Sequence, residues 1–131
     1  MSSEARRSIE RIPFPLPVPL SAAVRAGGFV FLSGVVALGE GGKVMDGGIR
    51  EQSRAVLERI AELLSEFGLG ARDVVRSSVW LADLADSAAF NEEYERFFRG
   101  ALPARSAVQA ALYGGALVEV EVQAWCGTRP E

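Results

Sequence analysis

The sequence contains no histidine and only one cysteine, Cys126. Without histidine, the chain cannot form the Ser–His or Cys–His pairs that activate many nucleophiles, and it lacks the imidazole ligands of most zinc sites. A single cysteine cannot form a disulfide within the chain, which favours a reducing compartment. We therefore expect no metal site and a cytoplasmic location.

Long apolar runs, basic clusters and nucleotide-binding glycine motifs are also missing. No segment is apolar enough to span a bilayer, and the N-terminal region, with mixed charges followed by prolines, does not resemble a signal peptide. The 14 basic and 17 acidic residues are interspersed and give a net charge of -3, without the basic stripe of a nucleic-acid-binding surface. No Walker or dinucleotide-binding glycine pattern occurs. These absences argue against membranes, nucleic acids and nucleotides as partners.

The length and composition that remain favour one globular domain. The chain has 131 residues, of which 49% are hydrophobic and 24% charged, which suffices for a single core. We assign residues 1–131 to one domain and residues 1–12 to a flexible N-terminal tail. Between residues 13 and 20, proline alternates with apolar residues, which excludes a helix and predicts an extended arm on the surface.

Hydrophobic periodicity predicts five strands and two helices. Apolar residues recur at helical spacing from Val56 to Phe67 and from Phe90 to Phe98, and β-prone runs fall between turn residues. The predicted strands are Ser21–Ala26, 29–36, Val74–Leu81, 106–112 and 116–125, and the predicted helices are 49–67 and 87–99. Short loops favour antiparallel pairs, including a hairpin at Tyr113–Gly115, and helical connections favour parallel pairs. The predicted fold is an α+β two-layer sandwich: a mixed β-sheet with two helices on one face.

The last predicted strand leaves one face of the sheet without cover. Its valines share one face, and its other face carries Glu119, Glu121, Gln123 and Trp125. The valine face must meet the helices, and no predicted element remains for the other face. A sheet face of mixed aromatic and polar character favours self-association. We therefore expect a symmetric homo-oligomer in which the sheets face one another.

Three places in the chain could contribute to a small-molecule site. Arg105 stands at a strand start, and its planar fork suits a carboxylate bound through two hydrogen bonds. Glu119 or Glu121, on the uncovered face, could position or deprotonate a water molecule. Ser33 and Gly34 interrupt a β-prone run, which marks a bulge or the close approach of another group. The structural alternatives are a surface or ion-pair role for the arginine, an interface salt bridge for the glutamates and a strand-edge hydroxyl for the serine.

Four motifs resemble the Rid (reactive intermediate deaminase) family, also called YjgF/YER057c. They are Phe31-Leu32-Ser33-Gly34, the helix from Asn91 to Phe98, Pro103-Ala104-Arg105-Ser106 and Val118-Glu119-Val120-Glu121. They match in order and spacing over about 110 residues, from Pro19 to Trp125. The resemblance implies a chorismate mutase-like fold and a homotrimer with clefts between its subunits. This agrees with the uncovered sheet face.

The resemblance also implies an activity. Family members with this arginine hydrolyse enamine or imine intermediates, such as 2-aminoacrylate, to 2-keto acids and ammonia without a cofactor. By resemblance, Arg105 would hold the carboxylate of a small imino or keto acid, and Glu119 would orient the attacking water. The intersubunit pocket would also be lined by Ser33, Gly34, Leu20 and Ala107.

Three positions depart from the pattern of the family. Leu20 stands where the family has a tyrosine, Val35 where a glutamine often follows the Ser-Gly pair, and Ala107 where cysteine is common. Each change removes a polar group. The resemblance therefore implies a more apolar pocket, suited to a larger or more hydrophobic ligand.

Two other functions are alternatives to the predicted deaminase activity. A non-catalytic trimer could bind small carboxylates or keto acids in a regulatory or chaperone-like role. It would use Arg105 in the same way and would differ only in turnover. Nuclease or translation-inhibiting activity, reported for relatives, fits poorly with an acidic chain that lacks histidine.

Overall fold

The computed structural model of the protein describes residues 8–127. Within this range the chain forms one sheet of seven strands and two α-helices. The strands are β1 (Ile9–Pro13), β2 (Ser21–Ala26), β3 (Phe29–Leu32), β4 (Val35–Val36), β5 (Val74–Leu81), β6 (Ala104–Gln109) and β7 (Val118–Trp125). The helices are α1 (Ile49–Ser65) and α2 (Ser87–Phe98). Neither helix is long and apolar enough to cross a membrane.

The sheet is mixed. Its strand order is β1-β2-β3-β7-β5-β6, and β4 also pairs with β7. Strands β5 and β6, which α2 connects, are parallel, and the other pairs of named strands are antiparallel. The predicted α+β class and the predicted mixed sheet are confirmed.

Both helices pack on the same face of the sheet, where β7 contributes its valines. The α1 side chains that face the sheet are Val56, Leu57, Ile60, Leu63 and Leu64. Those of α2 are Phe90, Tyr94 and Phe98. Val118, Val120 and Val122 are fully buried in the same core. Each such side chain stabilises the fold by roughly 1.5–3 kcal/mol on burial, which explains why the helical and strand periodicities predicted this layer correctly.

The opposite face of the sheet is open within the described chain. Trp125 is 56% exposed there, and Phe29, its partner in the ladder, is 42% exposed. The Phe31 ring lies 6.3 Å from the Phe29 ring, measured between centroids. Glu119 and Glu121 of β7 are half-buried on this face. The open face therefore combines exposed aromatic rings with two carboxylates.

The prediction of a flexible tail is wrong for its last residues. Ile9–Pro13 forms β1, an edge strand that pairs antiparallel with β2. Arg25 of β2 donates a hydrogen bond of 3.0 Å to Glu10 of β1. The charges of this stretch are compatible with an edge strand, because such a strand pairs its backbone while its side chains stay in solvent. Residues 1–7 of the predicted tail lie outside the described residues.

The predicted hairpin between the last two strands is also wrong. Strand β7 lies between β3 and β5, whereas β6 lies at the sheet edge and pairs with β5. Residues 110–117 connect them, and Tyr113–Gly115 is a short 3-10 turn within this connection. The turn residues predicted a local reversal. In this central position the valines of β7 are fully buried against the helices. Local turn residues do not reveal this long-range packing preference.

Candidate active site

A break between β3 and β4 brings Glu119 against Gly34. The predicted strand 29–36 is two strands, because Ser33 and Gly34 leave the ladder before pairing with β7 resumes at Val35. A Cβ on Gly34 would overlap Oε2 of Glu119 and lie 3.0 Å from the carboxylate carbon. The prediction that this glycine marks a close approach by another group is confirmed. Any larger residue would displace the Glu119 carboxylate.

Ser33 is fixed beside this contact by two hydrogen bonds to the start of β2. Its hydroxyl donates to the carbonyl of Ser21 at 2.7 Å, and its backbone N–H donates to the carbonyl of Ala22 at 3.0 Å. The hydroxyl oxygen keeps its acceptor capacity for a ligand. Leu20, which immediately precedes Ser21, is 42% exposed. Four predicted site residues, Leu20, Ser33, Gly34 and Glu119, therefore lie in one region.

Glu119 is a partly buried carboxylate without a basic partner among residues 8–127. Burial raises its pKa, and the negative charge of Glu121, two residues further on the same face, raises it as well. A carboxylate whose pKa is raised towards neutrality accepts a proton more readily than an ordinary one. Its raised pKa and its contact with Gly34 make Glu119 the candidate for proton transfer.

Arg105 lies on the edge strand β6 and packs on two aromatic rings of α2. Its guanidinium carbon is 4.8 Å from the ring centre of Tyr94 and 5.5 Å from that of Phe90. No aspartate or glutamate among residues 8–127 forms an ion pair with Arg105. The ion-pair alternative for this arginine is therefore not realised in the described chain. Its guanidinium can still bind a ligand carboxylate.

Arg105 and Glu119 lie on opposite faces of the same sheet. In the ladder, Arg105 pairs with Ser77 and Glu119 pairs with Trp80. Ser77 and Trp80 are three residues apart on β5, and side chains of odd separation point to opposite faces of a strand. Ser77 is fully buried on the helix side. One copy of the chain therefore does not bring the arginine and the glutamate into one pocket.

Ala107 and Val35, two of the positions that depart from the family pattern, do not lie on the sheet face that carries Glu119. Ala107 is exposed, two residues after Arg105 on the same face of β6. Val35 pairs with Val120 and is buried in the core. The substitution at Val35 therefore changes the apolar layer beneath the site rather than the face that carries Glu119.

An apolar cavity of about 320 Å³ opens beside Ser33 and Gly34. The arm contributes Phe14 and Pro15 to its wall, β4 contributes both of its valines, and α1 contributes Ala55 and Leu63. Charged lining comes from Glu58, Arg59 and Glu62 on α1. A mostly apolar cavity with a few polar groups is typical of a small-molecule site.

A second carboxylate, Glu93 of α2, was not predicted to be buried. It is only 3% exposed and binds three arginines: Arg54 and Arg96 at 2.8 Å and Arg50 at 3.2 Å. Hydrogen bonds from Arg54 first, and then from Arg50 and Arg96, lower the pKa of Glu93 to about 2. This cluster joins α1 to α2. All three arginines are already paired with this carboxylate, so we interpret the cluster as a structural element rather than a binding site.

The apolar residues at helical spacing in α2 include three aromatic rings, Phe90, Tyr94 and Phe98, which are buried in the core. The contact of Phe90 and Tyr94 with Arg105 was not predicted, because helical spacing does not show which strand a ring will meet. Residues 8–127 contain no group of three or more histidine, cysteine, aspartate and glutamate side chains able to hold a metal ion.

The fold and the site define an α+β protein with an open sheet face, a partly buried glutamate, and an arginine at the sheet edge that has no acidic partner among residues 8–127. The sequence profile of the family described as Endoribonuclease L-PSP matches residues 15–126. The chain therefore belongs to this family, which is the YjgF/Rid family predicted from the motifs.

Relatives share the sequence over most of the chain. The mouse protein named 2-iminobutanoate/2-iminopropanoate deaminase is 38% identical over 124 residues, which are 92% of this chain and 92% of the mouse protein. Reactive Intermediate Deaminase A, chloroplastic, of Arabidopsis thaliana is 40% identical over 116 residues, 87% of this chain and 62% of the plant protein. The crystal structure of RidA from the Antarctic bacterium Psychrobacter has a TM-score of 0.80 at 32% identity and covers 92% of this chain and 99% of that one.

Proposed function

We propose that the protein is an imine deaminase that hydrolyses 2-imino acids and their enamine tautomers to 2-oxo acids and ammonia. The observation that carries this proposal is Arg105, which is held on aromatic rings and has no acidic partner among residues 8–127. Such an arginine is suited to the carboxylate of a small acid. The names of the mouse and Arabidopsis relatives support the same reaction class.

The complete site would lie between two copies of the chain in a homotrimer. Arg105 and Glu119 lie on opposite faces of one sheet, so a second copy is needed to join them. The exposed aromatic rings of the open face would be covered by this neighbour. Arg105 of one copy would then meet Ser33, Gly34 and Glu119 of the next.

In this site Arg105 would bind the substrate carboxylate and Glu119 would act on water. Two charge-assisted hydrogen bonds from the guanidinium would fix C2 of the imine relative to the glutamate. Ionised Glu119 would take a proton from water as the water oxygen bonds to C2 and the C=N π electrons move to nitrogen. Glu119 would then return the proton to nitrogen. The C–N bond then breaks as the C2 hydroxyl passes its proton to nitrogen, so that the C2 oxygen forms the oxo group and nitrogen leaves as ammonia.

Gly34 both contacts Glu119 and lines the apolar cavity, so the substrate side chain would extend past Ser33 and Gly34 into this cavity. The walls of this cavity are mostly apolar, and its volume of about 320 Å³ exceeds that of a methyl or ethyl group. Leu20 and Ala107, which stand where the family resemblance implies polar residues, also favour an apolar substrate side chain. We therefore expect imines derived from leucine or methionine to be accepted alongside the smaller one derived from alanine.

Turnover is tested with 2-imino acids that an L-amino-acid oxidase generates in the assay from alanine, leucine and methionine. The protein should accelerate 2-oxo acid release above spontaneous hydrolysis, and Arg105→Ala should raise KM by roughly tenfold or more, since a hydrogen bond to a charged group is worth about 1.5–3 kcal/mol. Arg76→Ala, on the neighbouring strand, is the matched control and should behave like the wild type. Binding of 2-oxobutanoate without acceleration of any imine would instead make the protein a carboxylate-binding protein.

The intersubunit location is tested by mixing two inactive variants. Arg105→Ala and Glu119→Gln chains are co-expressed with different tags, and the mixed assemblies are purified and assayed. In a cyclic trimer with random mixing, about one quarter of all sites would receive both native residues from different chains, so activity should return in part. Mixed assemblies that stay as inactive as the parent variants would show that both residues act within one chain or that the assigned pair is wrong.

A further inference from the structure

Two buried rings of α2 surround the Arg105 guanidinium on its helix side. The ring centres of Tyr94 and Phe90 are 4.8 Å and 5.5 Å from the guanidinium carbon, within the range of cation–π attraction. The two rings are 5.4 Å apart and contact each other, and both are almost completely buried. The arginine therefore packs on a preformed aromatic wall rather than extending freely into solvent.

The position of the Tyr94 ring is itself fixed. Its hydroxyl forms a hydrogen bond with the hydroxyl of Ser77, which is fully buried. Ser77 is the residue that pairs with Arg105 in the β5–β6 ladder. On its other side the Tyr94 ring contacts Phe98, at 4.6 Å between centroids. The hydrogen bond between Tyr94 and Ser77 therefore fixes the Tyr94 ring to β5, the strand that pairs with the strand of Arg105.

We propose that Tyr94, together with Phe90, is a positioning residue for Arg105 that orients the guanidinium toward the carboxylate of the substrate. This inference rests on the proposed function. A free arginine side chain loses conformational entropy when it binds a ligand, and a guanidinium already held against a ring loses less. A guanidinium that stacks on an aromatic face keeps the N–H donors in its own plane available for a carboxylate. Removing the ring should therefore weaken carboxylate binding while leaving the chemical step intact.

Kinetics and NMR on two Tyr94 variants test this role. Tyr94→Leu should raise KM for the imine, and the dissociation constant for 2-oxobutanoate, by about 3- to 30-fold with little change in kcat. Tyr94→Phe, which keeps the ring and loses the hydroxyl, should recover most of this affinity. The Nε–H signal of Arg105 in a ¹⁵N–¹H spectrum should move in Tyr94→Leu, because the ring current that acts on it is lost. If Tyr94→Leu does not fold, Phe90→Leu is measured in the same way.

Phe97→Leu is the matched control. It makes the same kind of change on α2, and the described ring contacts place Phe97 against Phe98 and not against Tyr94 or Arg105. It should lower the melting temperature and leave KM unchanged. An unchanged KM and an unmoved Arg105 signal in Tyr94→Leu would overturn the inference while leaving the deaminase proposal intact, provided that Arg105→Ala weakens 2-oxobutanoate binding. If Arg105→Ala binds 2-oxobutanoate as tightly as the wild type, the proposed site itself is wrong, and the positioning role is wrong with it.

Discussion

Two glutamates of this protein, Glu93 and Glu119, lie in opposite electrostatic surroundings. Glu93 is buried between the helices and binds three arginines, which hold its pKa at about 2. Glu119 lies on the open sheet face beside Glu121, without a basic partner among residues 8–127, and burial raises its pKa. A carboxylate that is paired with three arginines is suited to holding helices together, whereas a carboxylate without a basic partner can exchange a proton.

The arginines show the same division. Arg50, Arg54 and Arg96 all form ion pairs with Glu93, and these ion pairs join α1 to α2. Arg105 has aromatic neighbours in place of an acidic one. Partly buried charges without an opposite partner among residues 8–127 therefore identify the candidate site better than the number of charges does, because a charge that is already paired has less left to offer a ligand.

The largest effect on activity is expected when Glu119, rather than Glu93, is replaced. Glutamine keeps the size of the side chain and cannot accept a proton, so Glu119→Gln should reduce kcat/KM for imines by about 100- to 10,000-fold. The melting temperature should not fall, because the fold opposes ionisation of this carboxylate. Oxo-acid release and circular dichroism measure the two effects. A Glu119→Gln enzyme with wild-type kcat would remove Glu119 from the mechanism.

Gly34→Ala tests whether the position of Glu119 matters as well as its charge. The added Cβ would overlap the Glu119 carboxylate, which must then move away from the site. Since displacement of a catalytic group by about 1 Å costs up to about 100-fold, we expect a loss of about 10- to 100-fold in kcat/KM. Gly70→Ala is the control, because a Cβ there meets no atom within 4 Å. Equal activity of the two alanine variants would contradict the close-approach argument.

Glu93→Gln should have the opposite profile, with reduced stability and retained activity. The folded-state pKa of Glu93 lies below its ordinary value of 4.5, at about 2. Its stabilising contribution is therefore complete above pH 4.5 and is lost as the pH falls towards 2. The melting temperature of Glu93→Gln should lie below that of the wild type at pH 7, and the gap should narrow at acid pH. A gap that is independent of pH would mean that packing, not charge, accounts for the role of Glu93.

The smallest expected effect is that of Glu121, which lies two residues after Glu119 on the same face of β7. Its negative charge raises the pKa of Glu119, after the larger effect of burial. Removing this charge in Glu121→Gln should lower the pKa of Glu119 and shift the acid limb of the pH–kcat profile to lower pH. The plateau value of kcat should change little. An acid limb that does not move would show that another group controls it.

Local pattern was sufficient for much of the fold and for the choice of candidate site residues. The helices follow from apolar spacing, and the alternation of β7 correctly separated its valines from Glu119 and Glu121. The glycine at position 34 predicted a close approach, and the motifs around Arg105 predicted the family. These features depend on side-chain periodicity and on short segments, which are readable without knowing the fold.

The sequence by itself therefore determined the two helices, most of the strands, the two faces of β7 and the family. Only the tertiary structure decided that β7 inserts between β3 and β5, that Arg105 and Glu119 lie on opposite faces, and that Glu93 takes three arginines while Arg105 takes aromatic rings. The physical reason is that strand order and ion pairing are set by contacts between residues far apart in the chain. Such contacts depend on which surfaces are buried together, and no local spacing records that choice.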